Sequence, residues 1–117
     1  MIFETYVTNI GSEADMFREE NMLIFFGDEA PEMLADYCYN IELKPSSGEI
    51  LPGMDFVFDN QSYKITAVGE VVKKNLDALG HITLRFDGSN KAELPGTLYV
   101  ERKTMPAIQV GTTIGIK

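Results

Sequence analysis

The sequence contains no tryptophan, one cysteine and one histidine. A single cysteine, Cys38, excludes an internal disulfide and a zinc site built from several cysteines. With His81 as the lone histidine, a transition-metal site would need carboxylates at metal-binding spacings, and none is evident. Phosphate-loop, nucleotide-binding and serine-triad patterns are missing as well. The sequence therefore predicts neither a metal site nor a cofactor.

Basic residues are scarce. Ten Lys plus Arg stand against eighteen Asp plus Glu, which gives a net charge of -8 and a pI near 4.5. Proteins that bind nucleic acid derive much of their affinity from neutralising phosphates with Lys and Arg. We therefore expect no nucleic-acid partner, whereas the acidic excess favours encounter with a basic protein surface.

Long apolar runs are also missing. No stretch approaches the roughly 18 apolar residues of a membrane-spanning helix. The N-terminus lacks the basic region and apolar stretch of a signal peptide. We expect a cytoplasmic protein without membrane insertion. With 117 residues, of which 44% are hydrophobic, the chain is expected to form one domain over residues 1–117 around one core.

Short strand patterns separated by Gly and Pro turns dominate the chain. Two short helices are expected before residue 40. Ser12, three residues before Asp15, resembles a capping arrangement, and Pro31 fits the first position of a helix that runs to about Tyr37. In that second helix, Leu34 and either Tyr37 or Cys38 should face inward. The strands are expected at 3–10, 22–26, 38–43, 55–58, 62–68, 82–86, 97–101 and 108–116.

The segment from Tyr63 to Gly88 changes its period twice. Strand-like alternation gives way to apolar residues at helical spacing, and Gly80 follows the last of them, where a left-handed C-cap would end the helix. Alternation then resumes. The inward set is Ile82, Leu84 and Phe86, and the outward polar set is His81, Thr83 and Arg85. The whole pattern predicts an all-β domain, a barrel or sandwich with two or three short helical insertions.

The stretch AVGEVVKKNLDALGHITLRFDG, followed by AELPGTLYV, resembles the glucitol/sorbitol-specific IIA component of the bacterial phosphotransferase system. The resemblance continues through NMLIFFGDEAPEMLADYCYN and LPGMDFVF and covers nearly the whole chain. It implies a β-barrel. It also implies a protein that accepts a phosphoryl group on a histidine from the general carrier HPr and passes it to the IIB/IIC sugar transporter.

The family's acceptor histidine follows an aromatic-Cys-aromatic motif, which here is Tyr37-Cys38-Tyr39. The next residues are Asn40, Ile41, Glu42 and Leu43, so the acceptor position falls on Ile41 or is deleted. Cys38 is a conceivable substitute nucleophile, although free cysteines are more often buried structural residues.

His81 is the remaining candidate for catalysis. A neutral imidazole is nucleophilic at cell pH. Thr83 and Arg85, on the same strand face, could bind a phosphoryl group through a hydroxyl and a guanidinium. The alternative is structural, because the family keeps this histidine beside its acceptor and any half-exposed strand shows alternating polar residues.

Three functions remain open from the sequence. The first is a phosphocarrier that uses an unexpected residue, with His81 as the nucleophile. The second is a regulatory or binding member of the family that has lost phosphoryl transfer. The third is a small-molecule-binding barrel unrelated to sugar transport.

Overall fold

The computed structural model describes residues 1–117, and its eight strands form a closed barrel. The predicted all-β barrel with few short helices is confirmed. The strands are β1 Phe3–Ile10, β2 Met22–Phe26, β3 Tyr39–Ile41, β4 Asp55–Phe58, β5 Gln61–Val68, β6 Ile82–Arg85, β7 Thr97–Val100 and β8 Thr113–Ile116. The helices are a 3-10 helix at Met16–Glu20, α1 Glu32–Ala35 and α2 Val72–Leu79. No helix has both the length and the apolar character needed to cross a membrane.

The strand order around the barrel is β1-β3-β2-β6-β7-β5-β4-β8, and β8 pairs with β1 to close it. Six of the neighbouring pairs are antiparallel. The pairs β2–β3 and β6–β7 are parallel. Parallel neighbours cannot be joined by a tight turn, so a longer crossover connects each pair. The crossover between β2 and β3 contains α1 and ends beside the candidate site.

Side chains fill the barrel interior. Tyr63, Phe58 and Phe86 are fully buried, and the ring of Tyr63 meets the other two edge-on at centroid distances of 5.8 and 5.0 Å. Small barrels are usually packed in this way rather than hollow. Any site must therefore lie on the outer surface or at the barrel ends.

The corner between α2 and β6 matches the sequence expectation. Gly80 ends α2 in the left-handed conformation, with φ 66°. The inward set Ile82, Leu84 and Phe86 is buried, while Thr83 and Arg85 are half-buried on the outer face. The alternation predicted for this strand is confirmed.

The first predicted helix start is wrong. Ser12 does not cap a helix, because the 3-10 helix begins at Met16 and Asp15 flanks it without a side-chain capping bond. The chain turns at residues 12–15 instead, where the Ala14 and Met16 amides bond to the carbonyls of Gly11 and Glu13. Local turn bonds therefore replace the expected cap.

The second helix is shorter than predicted. Pro31 flanks α1 rather than beginning it, and the helix ends at Ala35. Leu34 is 37% exposed instead of inward-facing, whereas Cys38 is buried as one of the two expected alternatives. The chain must be extended by Tyr39 to pair with β1 and β2, which leaves no room for another helical turn.

Candidate functional site

His81 lies where the corner after α2 meets the end of β2. The Gly27 amide donates to the Leu79 carbonyl at 2.9 Å. A Cβ on Gly80 would lie only 2.9 Å from the Gly27 nitrogen, and one on Gly27 would lie 2.7 Å from the Leu79 oxygen. The two glycines therefore permit a close backbone contact that places His81 against β2.

Two contacts hold the His81 ring. Its Nδ1 lies 3.1 Å from the Phe25 carbonyl oxygen, and its ring stacks on Phe26 with centroids 4.4 Å apart. A carbonyl oxygen only accepts, so Nδ1 carries the proton and Nε2 of the neutral ring has the free lone pair. Nε2 forms no hydrogen bond within the protein and is not among its buried unpaired atoms. Nε2 of His81 is therefore not fully buried.

Asn40 holds the end of β2 through hydrogen bonds from its side-chain amide. Its amide nitrogen donates to the Gly27 carbonyl at 3.0 Å and lies 3.4 Å from the Phe26 carbonyl. Its side-chain oxygen accepts a bond from Asn9 at 3.0 Å. Asn40 therefore fixes the strand end that supports the His81 ring.

Ile41 lies in the core and is 2% exposed. Its Cγ1 would be 3.6 Å from a Cβ on Gly80, so it packs beneath the corner that carries His81. Ile41 is therefore part of the apolar core of the barrel. Its alkyl side chain has no atom able to form a bond to phosphorus.

Thr83 and Arg85 share the outer face of β6 with His81. Alternate residues of a strand are roughly 7 Å apart, and neither side chain bonds to the imidazole. Arg85 Nε lies 3.7 Å from an Asp87 carboxylate oxygen and is buried without a hydrogen bond. The structure thus places the three predicted residues in one row but directs Arg85 toward the turn at Asp87.

Cys38 is unsuited to nucleophilic chemistry. The side chain is fully buried, and its thiol donates to the Leu34 carbonyl at 3.1 Å. Burial raises the pKa of Cys38 above its ordinary value. Because the thiolate is the reactive form, this environment suppresses reactivity and makes Cys38 structural.

An acidic groove, which the sequence reasoning missed, lies beside the His81 corner. It consists of two adjoining depressions of about 160 and 370 Å³ that share Asp28 and Leu43. Leu43 and Leu79 remain 47% and 45% exposed within it. A sequence signal existed, since Asp28 and Glu29 follow the Gly27 turn. The groove is lined by Thr8, Gly27, Asp28, Glu29, Ile41, Glu42, Leu43, Ala78 and Leu79.

No cluster of three or more His, Cys, Asp or Glu side chains is arranged to hold a metal ion. The chemistry that the His81 corner can support is therefore that of a single imidazole nucleophile beside an acidic, partly apolar surface.

Comparison with known proteins identifies the family. A model described as the PTS system glucitol/sorbitol-specific IIA component matches residues 2–115. The chain belongs to this family. The glucitol/sorbitol-specific EIIA components of Shigella flexneri and Escherichia coli K12 are each 41% identical to it over 117 residues. Each alignment covers 97% of this chain and 93% of the relative.

The IIA-family fold is also seen in a solved structure. The crystal structure of a PTS system IIA component from Enterococcus faecalis V583 superposes with a TM-score of 0.85 at 27% sequence identity. The match covers 97% of this chain and 98% of the other. The barrel described above is thus shared with another IIA protein along nearly its whole length.

Proposed function

We propose that this IIA-family protein carries a phosphoryl group on Nε2 of His81. It takes the group from the phosphohistidine of HPr and passes it to a IIB/IIC sugar transporter, acting in the cytoplasm as one domain over residues 1–117. The observation that supports the proposal is the hydrogen bond between His81 Nδ1 and the Phe25 carbonyl, which in the neutral ring places the lone pair on Nε2. The proposed acceptor thus differs from the family's acceptor position.

Ile41 cannot accept a phosphoryl group, because its side chain has no nucleophilic atom. The family's acceptor position falls on Ile41 or is deleted, and Ile41 is a buried alkyl side chain here. Neighbouring Asn40 is committed to the backbone of β2, and an amide is a poor nucleophile. Phosphoryl transfer by this chain therefore has to use another residue, and His81 is adjacent.

The proposed step is an in-line displacement. The lone pair of His81 Nε2 forms a bond to phosphorus while the phosphorus–nitrogen bond of the donor histidine breaks and its electron pair returns to the donor ring. His81 keeps the proton on Nδ1, so positive charge develops on its ring. The Phe25 carbonyl, already oriented toward Nδ1–H, stabilises that charge without rearrangement.

Thr83 and Arg85 are proposed to bind the phosphoryl group, and we expect Thr83 to contribute more to that binding. Thr83 is the next residue on the same face, within roughly 7 Å along the strand, so its hydroxyl is the nearer donor. Arg85 is farther and lies beside Asp87, which draws its guanidinium away. We therefore expect substitution of Thr83 to weaken transfer more than substitution of Arg85.

The acidic groove is the proposed docking surface for these partners. Asp28, Glu29 and Glu42 surround two exposed leucines next to the His81 corner. Such a surface fits a partner with basic groups around an apolar centre, and charge complementarity of this kind mainly raises the association rate. We expect binding of the partners to weaken as salt concentration rises.

A second candidate function is partner binding without phosphoryl transfer. The burial of Ile41 favours it, because the family's acceptor position is chemically inert and the acidic groove needs no acceptor to bind a protein. In that case His81 serves the architecture of the corner.

The decisive experiment is incubation with phosphoenolpyruvate, the first enzyme of the system and HPr, followed by intact-mass analysis under alkaline conditions, which preserve phosphohistidine. We expect one phosphoryl group on the wild type and none on His81→Gln. Circular dichroism should show that His81→Gln is folded at the assay temperature, although it loses the stacking on Phe26. Asn90→Gln, an exposed substitution away from the corner, is the matched control.

The variant Ile41→His tests whether a histidine restored at the family's acceptor position can be phosphorylated. If the wild type is not phosphorylated but Ile41→His is, transfer through His81 is refuted and the non-transferring function is supported. If neither is phosphorylated while HPr still binds at low salt, the second function again holds. Phosphorylation that persists in His81→Gln would require a different acceptor.

A further inference from the structure

Phe26 is a buried aromatic residue outside the main core cluster of the barrel. It follows Phe25 on β2, and successive side chains of a strand point to opposite faces. Phe25 belongs to the core cluster, whereas Phe26 does not and is still only 5% exposed. The rings of Phe26 and His81 are stacked, with their planes inclined by 25° and their centroids 4.4 Å apart. Phe26 therefore packs against His81 on the outer face of the barrel.

Consecutive residues of β2 contact two different parts of the His81 imidazole. The Phe25 carbonyl oxygen lies 3.1 Å from Nδ1, at the edge of the imidazole, and the Phe26 ring lies against its face. A ring that is held at one edge and at one face has a fixed plane. The direction of the Nε2 lone pair, which lies in that plane, is then fixed as well. Transfer in line requires a nucleophile oriented in this way.

The face contact between Phe26 and His81 also acts electrostatically. The face of a benzene ring carries the negative part of its quadrupole. It attracts a cation that lies within about 6 Å of the ring centroid, and the His81 ring lies inside that distance. The imidazole becomes cationic when Nε2 bonds to phosphorus while Nδ1 keeps its proton. Because the neutral ring gains less from this attraction, Phe26 favours the transition state and the phosphorylated state over the free imidazole.

We propose that Phe26 is a positioning residue for phosphoryl transfer, which fixes the plane of the His81 ring and stabilises the positive charge that develops on it. This role rests on the proposed transfer through His81. Because Phe26 is shielded from water, its attraction for the charged ring is expected to change rates and equilibria at His81 roughly fivefold, which corresponds to about 1 kcal/mol.

The first test measures the nucleophilicity of His81 without any partner protein, as the rate of carbethoxylation by diethyl pyrocarbonate. The Nε2 lone pair bonds to a carbonyl carbon of the reagent, and ethyl carbonate leaves with the electron pair of the broken bond. Positive charge develops on the ring until the Nδ1 proton is released to water. His81 is the only histidine, so the ultraviolet absorbance of carbethoxyhistidine reports on this residue alone. The rate is measured at about pH 8, where an ordinary imidazole is neutral.

The variant Phe26→pentafluorophenylalanine separates charge stabilisation from packing, because fluorine withdraws electrons from the face of the ring and changes its shape little. We expect this variant and Phe26→Leu to be carbethoxylated roughly fivefold more slowly than the wild type. Phe17→pentafluorophenylalanine is the matched control and should react like the wild type, since Phe17 pairs with Tyr37 at a centroid distance of 5.8 Å. Rates are compared at a temperature where circular dichroism shows every variant to be folded. The role of Phe26 is refuted if its fluorinated variant reacts as fast as the wild type or faster.

The second test measures the phosphorylated state at equilibrium with phosphorylated HPr. The ratio of phosphorylated to free protein should fall roughly fivefold in Phe26→pentafluorophenylalanine and stay unchanged in the Phe17 control. If the wild type is never phosphorylated but fluorination of Phe26 slows carbethoxylation, the proposed function fails and the charge stabilisation by Phe26 is supported. If all variants are phosphorylated to the same extent, transfer by the protein is supported and the role of Phe26 is refuted.

Discussion

Replacement of Gly80 by alanine should destabilise the protein through two separable effects. Gly80 has φ 66°, and a side chain in this left-handed region costs about 1–2 kcal/mol. The added Cβ would also lie 2.9 Å from the Gly27 nitrogen, which is backbone and cannot move aside cheaply. Displacing it weakens the bond from the Gly27 amide to the Leu79 carbonyl, worth about 1 kcal/mol.

The two effects together predict a loss of about 2–3 kcal/mol, or a fall in unfolding temperature of roughly 8–15 °C. Gly88→Ala is the matched control, because Gly88 has φ 68° but its Cβ would meet nothing nearer than 3.6 Å. Gly88→Ala should therefore lose only the conformational part. Urea unfolding of both variants measures the difference. Equal losses would show that the close approach of Gly80 to Gly27 carries no energy.

Two further predictions concern titratable groups. Burial raises the pKa of Asp77, but bonds from Ser46 and Lys73 outweigh it and hold that pKa below the ordinary 3.8. The ionised Asp77 therefore stabilises the folded protein above pH 3.8, and this stabilisation is lost as the pH falls through the lowered pKa. Asp77→Asn should reduce the free energy of unfolding by about 1 kcal/mol at pH 7. The variant should also show a weaker dependence of stability on pH in acid, measured by circular dichroism. Cys38 should react with a thiol reagent at least ~100-fold more slowly in the folded than in the urea-unfolded chain; equal rates would contradict its burial.

Sequence patterns were sufficient where local chemistry decides the structure. The period of two in β6 and the glycine stop of α2 were predicted, because alternation and a left-handed cap depend on neighbouring residues. The end of α1 was not, because the requirement for Tyr39 to pair with two strands is distant in sequence.

The site was predicted only in part for the same reason. Alternation placed His81, Thr83 and Arg85 in one row, but it could not show that the partner of His81 is a carbonyl 56 residues away. It likewise could not show that Arg18 reaches the carbonyl of Pro106, 88 residues away. Backbone register across a barrel decides such contacts.

Because the first strand pairs with the last, we expect closure of the barrel to be a late event in folding. Phe3 lies opposite Ile116, so the last seam joins residues more than a hundred positions apart. Forming contacts between residues so far apart requires a large loss of chain entropy before the contacts can stabilise the fold. Chains rich in such contacts therefore fold slowly. Until that seam forms, β1 and β8 each present an unpaired edge that can add a strand from another molecule. Newly made chains should therefore be most prone to aggregation just before Ile116 becomes available.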